Sequence, residues 1–501
     1  MSKNKWLIVG LCVLCVLGVA LEAQVRLRLR ARTEPTPPEP PPTTSRGPQN
    51  VPCPVGATQI GVGTDIQSVV NAQPAGTVYC LLAGTHREQS ITPKNGDQYY
   101  GQIGAVLSGA RVLSSWTPDG GGRWYATGQP QFNGVQGTVP DECIPGNPRC
   151  GYGEDLWVDG SLRFHTDSIG AVNASSWHFD YGNDRIYIGE DPAGKAIQTS
   201  VTARAFQGSA SNVRIQNLVI ERYANLAQSG AVHAQEGSNW TLTYSDFNHN
   251  HGYGIRTGSG LVVTHSRIMH NAQLGTGGPG VNILYDNVEI ANNNLVGFQP
   301  GWEGGGSKWA ITSGVTVRNS YIHNNFGPGL WTDIDNYNTL YELNVVEDNA
   351  GIGIFHEISY DCVIRRNTVR RNGWGGSDWI WGGGIIIAAS GGTGCNVYEN
   401  TLEDQPDGLI AVQQNRGSFI AQNIHFYDNT VRLRSPENAD DFNGAIQDNG
   451  FEIFSRNVTF ENNDYFMKGS CNHFVWANTG PFSFATWQGY GHDDTGSCTV
   501  Y

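Results

Sequence analysis

A chain of 501 residues with 65 glycines, only 15% charged residues and no run of long amphipathic helices reads as a β protein with many turns. The formal net charge is −14, but the first 32 residues carry six Lys/Arg and one Glu, and removing that +5 leaves −19 on the remainder. So acidic a body is a poor binder of nucleic acid or anionic membrane, and it argues against a polyanionic substrate unless a divalent cation bridges the two.

Residues 1–23 combine Lys3 and Lys5 with an apolar run from Trp6 to Leu21 and a small-residue site at Leu21-Glu22-Ala23. That is a signal peptide, or an uncleaved signal anchor, since sixteen apolar residues fall short of the roughly 20 a span needs. Either reading places the body outside the cytoplasm, secreted or held at the membrane only through this segment. Residues 24–50, with the run PTPPEPPPTT, predict a stiff extended linker. Ten cysteines divide into Cys12 and Cys15 in the leader and eight others in local couples: Cys53 with Cys80, Cys143 with Cys150, Cys362 with Cys395, and Cys471 with Cys498. An even number behind an export signal predicts four disulfides.

The folded part starts near Val51. Asp65 to Asn71 predicts a short helix, Gly76 to Ala83 a strand, and residues 51–114 an N-terminal cap with the first coils. Residues 115–204 interrupt any repeat and predict an inserted β subdomain, with a hairpin over His178 to Tyr187. From about 205 to 470 one unit recurs: an alternating apolar stretch, Asn or Ser, x, Ile/Val, two residues, Asn, then Gly-Ile/Leu. Instances begin at Ser245, Ser266, Asn319, Asn344 and Asn367, with neighbours 21, 25 and 23 residues apart, which is solenoid spacing. Two coils carry expanded loops, Gly301 to Lys308 and Trp374 to Trp381, and such insertions gather on a binding face. Residues 471–501 predict a C-terminal cap closed by the last cysteine couple.

This repeat resembles the right-handed parallel β-helix of secreted pectate-lyase-like proteins. The resemblance implies an all-β solenoid. It leaves function open, because polysaccharide lyases, glycoside hydrolases, epimerases, adhesins and binding proteins share the fold.

Within the repeat, Gly329-Leu330-Trp331-Thr332-Asp333-Ile334 aligns with Gly353-Ile354-Phe355-His356-Glu357-Ile358, 24 residues on. Strand parity predicts Leu330, Thr332, Ile334, Ile354, His356 and Ile358 inside. Trp331, Asp333, Asp335, Phe355, Glu357 and Ser359 would share an exposed face. The repeated asparagines are structural in this reading, and His356 is a core histidine. Asp333 and Glu357 on neighbouring strands would repel, which a structural sheet avoids and an acid–base pair exploits. Their carboxyl carbons are predicted roughly 4.5–7 Å apart, near the spacing of retaining glycosidases.

The leading expectation is therefore a glycan-cleaving hydrolase without a required cofactor, acting on a polysaccharide or oligosaccharide. Asp333 and Glu357 are its catalytic pair and Asp335 supports them. Trp331, Phe355, Trp302, Trp379 and Trp381 would bind sugar. Three alternatives stand beside it. Glu303 and Lys308 resemble the calcium ligand and base of β-helix lyases acting on alginate or dermatan, and Asn271 would complete the metal site, although the arginine expected one coil after the lysine is missing. The carboxylates could also hold calcium, or the face could bind glycan without catalysis.

Overall fold

A computed structural model of the protein describes residues 45–375, 379–433 and 441–500. The leader, predicted to be a signal peptide or anchor, lies outside the described residues, as does most of the proline-rich linker. The last linker residues are not free-standing. Arg46 Nε donates to Asn287 Oδ1 (3.0 Å), and Gly47 N donates to His265 O (2.8 Å), so the segment docks along the outside of the coils.

The body is a parallel β-helix of three strand ladders. One runs from Phe206–Gln207 and Gly230–His233 to Asn443–Gln447 and Phe474–Trp476, and it carries Asp333 and Glu357. A second begins at Thr58–Ile60 and ends at Val458–Glu461. A third runs from Gly84–Arg87 to Ser497–Val500. Two long strands, Leu274–Asp286 and Gly305–Arg318, continue from the first ladder into the second without a break.

Parallel in-register stacking puts every inward position on top of its counterpart about 4.8 Å away. On the second ladder Val317, Tyr341, Ile364, Val397 and Phe426 follow one another, all fully buried. The asparagine spacing has the same origin. Each coil turns into and out of the third ladder through a residue with positive φ, such as Leu343 (57°) and Asp348 (53°), and the next residue points inward. Those residues form two buried ladders. Asn344 Nδ2 donates to Asn367 Oδ1 (3.0 Å) and Asn367 to Asn400 (2.9 Å). On the other corner Asn325 donates to Asn349 (2.8 Å) and Asn349 to Asn372 (2.8 Å).

The Gly before each Ile/Leu packs on that second ladder: a Cβ on Gly353 would sit 2.9 Å from Asn372 Nδ2 and 2.7 Å from Gly384 O. Asn349→Ala should therefore cost about 2 kcal/mol in chemical denaturation, because it strands buried partners on both neighbouring coils.

The helix Ile66–Ala72 is capped by Asp65, whose side chain accepts from Gln67 N and Ser68 N. Between the second coil and the main run, an eight-stranded, mostly antiparallel sheet spans Ala110–Val112 to Ile197–Ser200, with its own core around Trp177, Phe179 and Ile186. It includes the expected hairpin, Ser176–Asp180 with Arg185–Ile188. It also takes in Ala110–Val112, which the sequence assigned to the coils before 115. All four cysteine couples are bonded as expected, at sequence separations of 27, 7, 33 and 27. Thiol titration of the unfolded, unreduced protein should find none of these eight free.

Candidate active site

The first ladder's outward face carries the chemistry. Leu330, Trp331, Thr332 and Asp333 pair in register with Ile354, Phe355, His356 and Glu357. Leu330 and Ile354 enter the core, while Trp331 and Phe355 belong to a separate apolar cluster outside the coil. Parity thus places Asp333 and Glu357 side by side facing outward.

The parity expectation fails just beyond the strands, which end at Asp333 and Glu357. Ile334 and Asp335 have φ of 62° and 54°, so the chain turns there; Ile334, expected inside, is 40% exposed. Asp335 sits in the turn with Tyr360 Oη donating to it at 3.4 Å, and does not extend the carboxylate row. Ile358 has φ 37° and is only partly buried, and Ser359, expected outside, is buried and accepts from Asn336 Nδ2 (3.0 Å).

The carboxylates are embedded in a line of charged groups. Lys308 Nζ lies 2.9 Å from Asp333 Oδ2 and 3.9 Å from Glu303 Oε1, donates to Trp302 O (2.8 Å), and sits 4.0 Å from the centre of the Trp331 ring. Glu303 accepts from Gln228 Nε2 (2.8 Å) and from Tyr253 Oη. Glu357 Oε1 receives Arg416 Nη2 at 2.7 Å. Asp333 Oδ1 is buried without a hydrogen-bond partner among the described residues.

Asp333 and Glu357 are 6% and 3% exposed, so the face is a covered floor and not the open groove the sequence suggested. Burial first, then the neighbouring Asp333 carboxylate, push the Glu357 carboxyl up to about 7 against the pull of Arg416 and Lys308.

Several expected roles change. Trp331 and Phe355 stack on each other at 5.5 Å, and they are buried with Ile386, Ile410 and Val412, which continue the outward face in an apolar run. They are packing for the site and offer no ring face to a sugar. Trp302 packs on Phe298 in the cluster around the Cys143–Cys150 bridge, and Trp374 donates to Asp348 O (2.6 Å). Trp381 packs edge-on against Phe355 at 6.2 Å. Trp379 is 40% exposed and lines an open pocket of about 360 Å³ with Phe442, Ile446, Val475 and Asn478.

The donors named for calcium do not gather around one point. Asn271 is fully buried in the asparagine ladder, where it accepts from Asn250 and donates to Asn293. The Lys308 ammonium stands between Glu303 and Asp333, where a cation would sit. Another cluster, His356 with Cys362 and Cys395, offers no thiolates because the two sulfurs are bonded to each other. His356 is a core histidine: one ring nitrogen meets Thr332 Oγ1 (2.7 Å) and the other Tyr360 O (2.9 Å).

Arg416, Tyr253 and Gln228 were not foreseen. Arg416 arrives from a loop 59 residues after Glu357, between strands Asp407–Gln413 and Ile424–Tyr427. The length of that connection was the available signal, since expanded loops on neighbouring coils already marked this face.

Residues 230–402 match the family model of the right handed beta helix region. That match and the three parallel ladders make this part of the chain a right-handed β-helix. No curated protein matches its sequence. Among solved structures, the complex of XylC with xylose superposes with a TM-score of 0.57 at 13% identity, covering 82% of this chain and 84% of that one. The A-module of the Azotobacter vinelandii mannuronan C-5 epimerase AlgE6 gives 0.49 at 13% identity, covering 89% and 97%. At such identities the likeness is one of fold.

Proposed function

We propose that this protein is an extracytoplasmic glycan-cleaving enzyme, a glycoside hydrolase working through Asp333 and Glu357 without a required cofactor. The observation that carries this reading is the in-register outward pair, with one member pushed up to about 7 and the other ion-paired to Lys308. Four disulfides agree with an oxidising compartment. Structural neighbours named for glycoside hydrolysis and for polysaccharide modification share the fold.

Neighbouring parallel strands lie about 4.8 Å apart, so the two carboxyls start from adjacent positions, as double displacement needs. The protonated Glu357 carboxyl gives its proton to the glycosidic oxygen as the bond to the anomeric carbon breaks. Asp333, with Oδ2 fixed by Lys308 and Oδ1 unengaged, forms the glycosyl ester. Glu357, now ionised, takes a proton from water, whose oxygen attacks the anomeric carbon. Asp333 leaves as carboxylate and the Glu357 carboxyl is restored. Because both carboxyls lie on a covered floor, substrate entry requires the Arg416 loop to swing aside.

The lyase reading needs Lys308 as a base. Every group around its Nζ, two carboxylates, a carbonyl and an indole face, interacts favourably with the charged ammonium, which weighs against that role.

Glu357 must be protonated to act as acid, so activity should fall as pH rises through about 7. Arg416→Ala removes a cation that favours the Glu357 carboxylate and should move this alkaline limb to higher pH. A pH–rate profile of the two proteins checks both; a limb that stays in place when Arg416 is removed would detach Glu357 from the titration.

A further inference from the structure

The stretch ahead of the N-terminal cap climbs the outer corner between the second and third ladders. Each coil turns there through a positive-φ residue, with Asn217, Tyr244, His265, Asn287 and Asn319 in coil order. Gln49 O accepts from Asn217 Nδ2 (2.8 Å), and Gly47 N donates to His265 O (2.8 Å). Arg46 reaches Asn287 Oδ1 (3.0 Å) and Asn319 O (3.4 Å). From Gln49 back to Arg46 the chain therefore runs up the solenoid towards its C-terminal coils. Gly47 is buried on the way: a Cβ there would sit 2.6 Å from Arg267 Nε and 2.7 Å from Asp246 Oδ1.

Beside that corner runs one outward row of the third ladder. Asp246, Arg267, Glu289 and Tyr321 lead it in register, the first two against Gly47 and the others as electrostatic neighbours of Arg46. After Tyr321 the row changes character and continues as Val345, Thr368, Thr401 and Thr430. These four are half-buried and uncharged, and among the described residues no hydrogen bond engages the three hydroxyls. Ion pairs flank them on both sides. Arg366 meets Glu399 (2.5 Å) on the corner, while Arg370 meets Glu347 and Arg432 meets Glu403 (3.2 Å) two residues further along the strands. Leu343, on the corner next to Val345, is 49% exposed. The result is a strip with an uncharged floor and charged rims, continuous with the surface that already carries residues 46–49.

The chain that continues from Arg46 matches that strip in composition and in length. Residues 35–44, PTPPEPPPTT, lie outside the described residues and carry one charge, Glu39. Proline has a carbonyl and no N–H, so a proline run needs donors from its partner, and its preset φ lowers the entropy lost on docking. Thr368, Thr401 and Thr430 offer such donors. From Gly47, beside His265, to the level of Thr430 is six coils, about 29 Å at about 4.8 Å each. The twelve residues from Gly47 back to Pro35 span about 37 Å as polyproline II, at about 3.1 Å each.

We propose that the proline-rich linker is a docked segment of this protein, lying as polyproline II along the strip from Val345 to Thr430. The connection to the leader then emerges on the flank of the C-terminal coils. The first ladder's outward face, with Asp333 and Glu357, stays clear of it. The inference does not depend on what those carboxylates do.

The test is photo-cross-linking in the full chain, with Thr43→benzoylphenylalanine or Thr36→benzoylphenylalanine and the marked peptides mapped after digestion. Thr43 should mark the coils of Leu343 to Thr368, and Thr36 those of Asp428 to Asp464, so that the order of the marks reproduces the climb. Val345→Asp with Thr401→Asp sets carboxylates against the proline carbonyls and should abolish the marks. Thr368→Val with Thr401→Val keeps the shape of the strip, removes two donors and should lower them about threefold or more. Urea denaturation midpoints report whether each body stays folded, and the valine pair decides the matter if the aspartate pair does not fold. Marks scattered over the surface, marks on a second copy of the chain, no marks within the body, or the same ordered marks in either folded variant would each overturn the proposal.

Discussion

Glu357→Gln should lower turnover by about 10²- to 10⁴-fold, the usual contribution of a positioned proton donor, while leaving the fold intact or firmer. The stability half follows from the sign of the shift. The Glu357 carboxyl rises from 4.5 to about 7 on folding, so between those values the folded protein holds a proton that the unfolded chain has released. Stability therefore falls as pH climbs through that window, by roughly 3 kcal/mol in total at about 1.4 kcal/mol per unit. The amide carries no ionisation cost, so the variant should gain on the parent above pH 7 and match it near pH 4. Urea denaturation at pH 4 and pH 8 measures this directly. A variant equally or less stable at pH 8 would mean that Arg416 compensates the carboxylate fully, and that Glu357 is a structural ion-pair partner.

Asp333 does not behave symmetrically. From sequence alone its removal would relieve repulsion. In the structure Asp333 also neutralises Lys308, so Asp333→Asn should abolish turnover and cost stability, and Glu357→Gln is the cleaner probe.

Lys308→Met should give the largest loss of stability, about 3–5 kcal/mol, because Lys308 and Asp333 side chains are each only 9% exposed and the variant strands a carboxylate under its roof. The methionine also gives up the hydrogen bond to Trp302 O and the contact over the Trp331 ring. Combining Lys308→Met with Asp333→Asn should recover much of the loss, since neither charge is then buried alone. Denaturation midpoints of the single and double variants test this. A single variant within about 1 kcal/mol of the parent would show that the pair is solvated and that this line of charged groups does not hold the site together.

The fold was legible because stacking in a β-helix repeats one local rule. Asn344 and Asn349 appear five residues apart since each closes a corner of the same coil, and the next coil needs the same two amides at Asn367 and Asn372. The alternation over residues 330–333 and 354–357 was equally legible, as strand parity has period two. It broke at Ile334 and Ile358, where positive φ ends the strand and parity no longer applies.

The environment of the pair was not legible. Whether Trp331 and Phe355 face solvent depends on Ile386, Ile410 and Trp381 coming from later coils, and the Glu357 guanidinium partner comes from 59 residues away. Lys308 was noticed for its spacing from Glu303. Its main partner, Asp333, is a coil further on, and that contact turns it from a candidate base into the group that fixes a carboxylate.

The most direct test of the central claim is product analysis on acidic and neutral polysaccharides, with the unmutated protein and Glu357→Gln side by side. New reducing ends without an ultraviolet-absorbing unsaturated product, lost in the variant, are the predicted result. An unsaturated product, cleavage that survives Glu357→Gln, or tight binding with no cleavage of any glycan would contradict it.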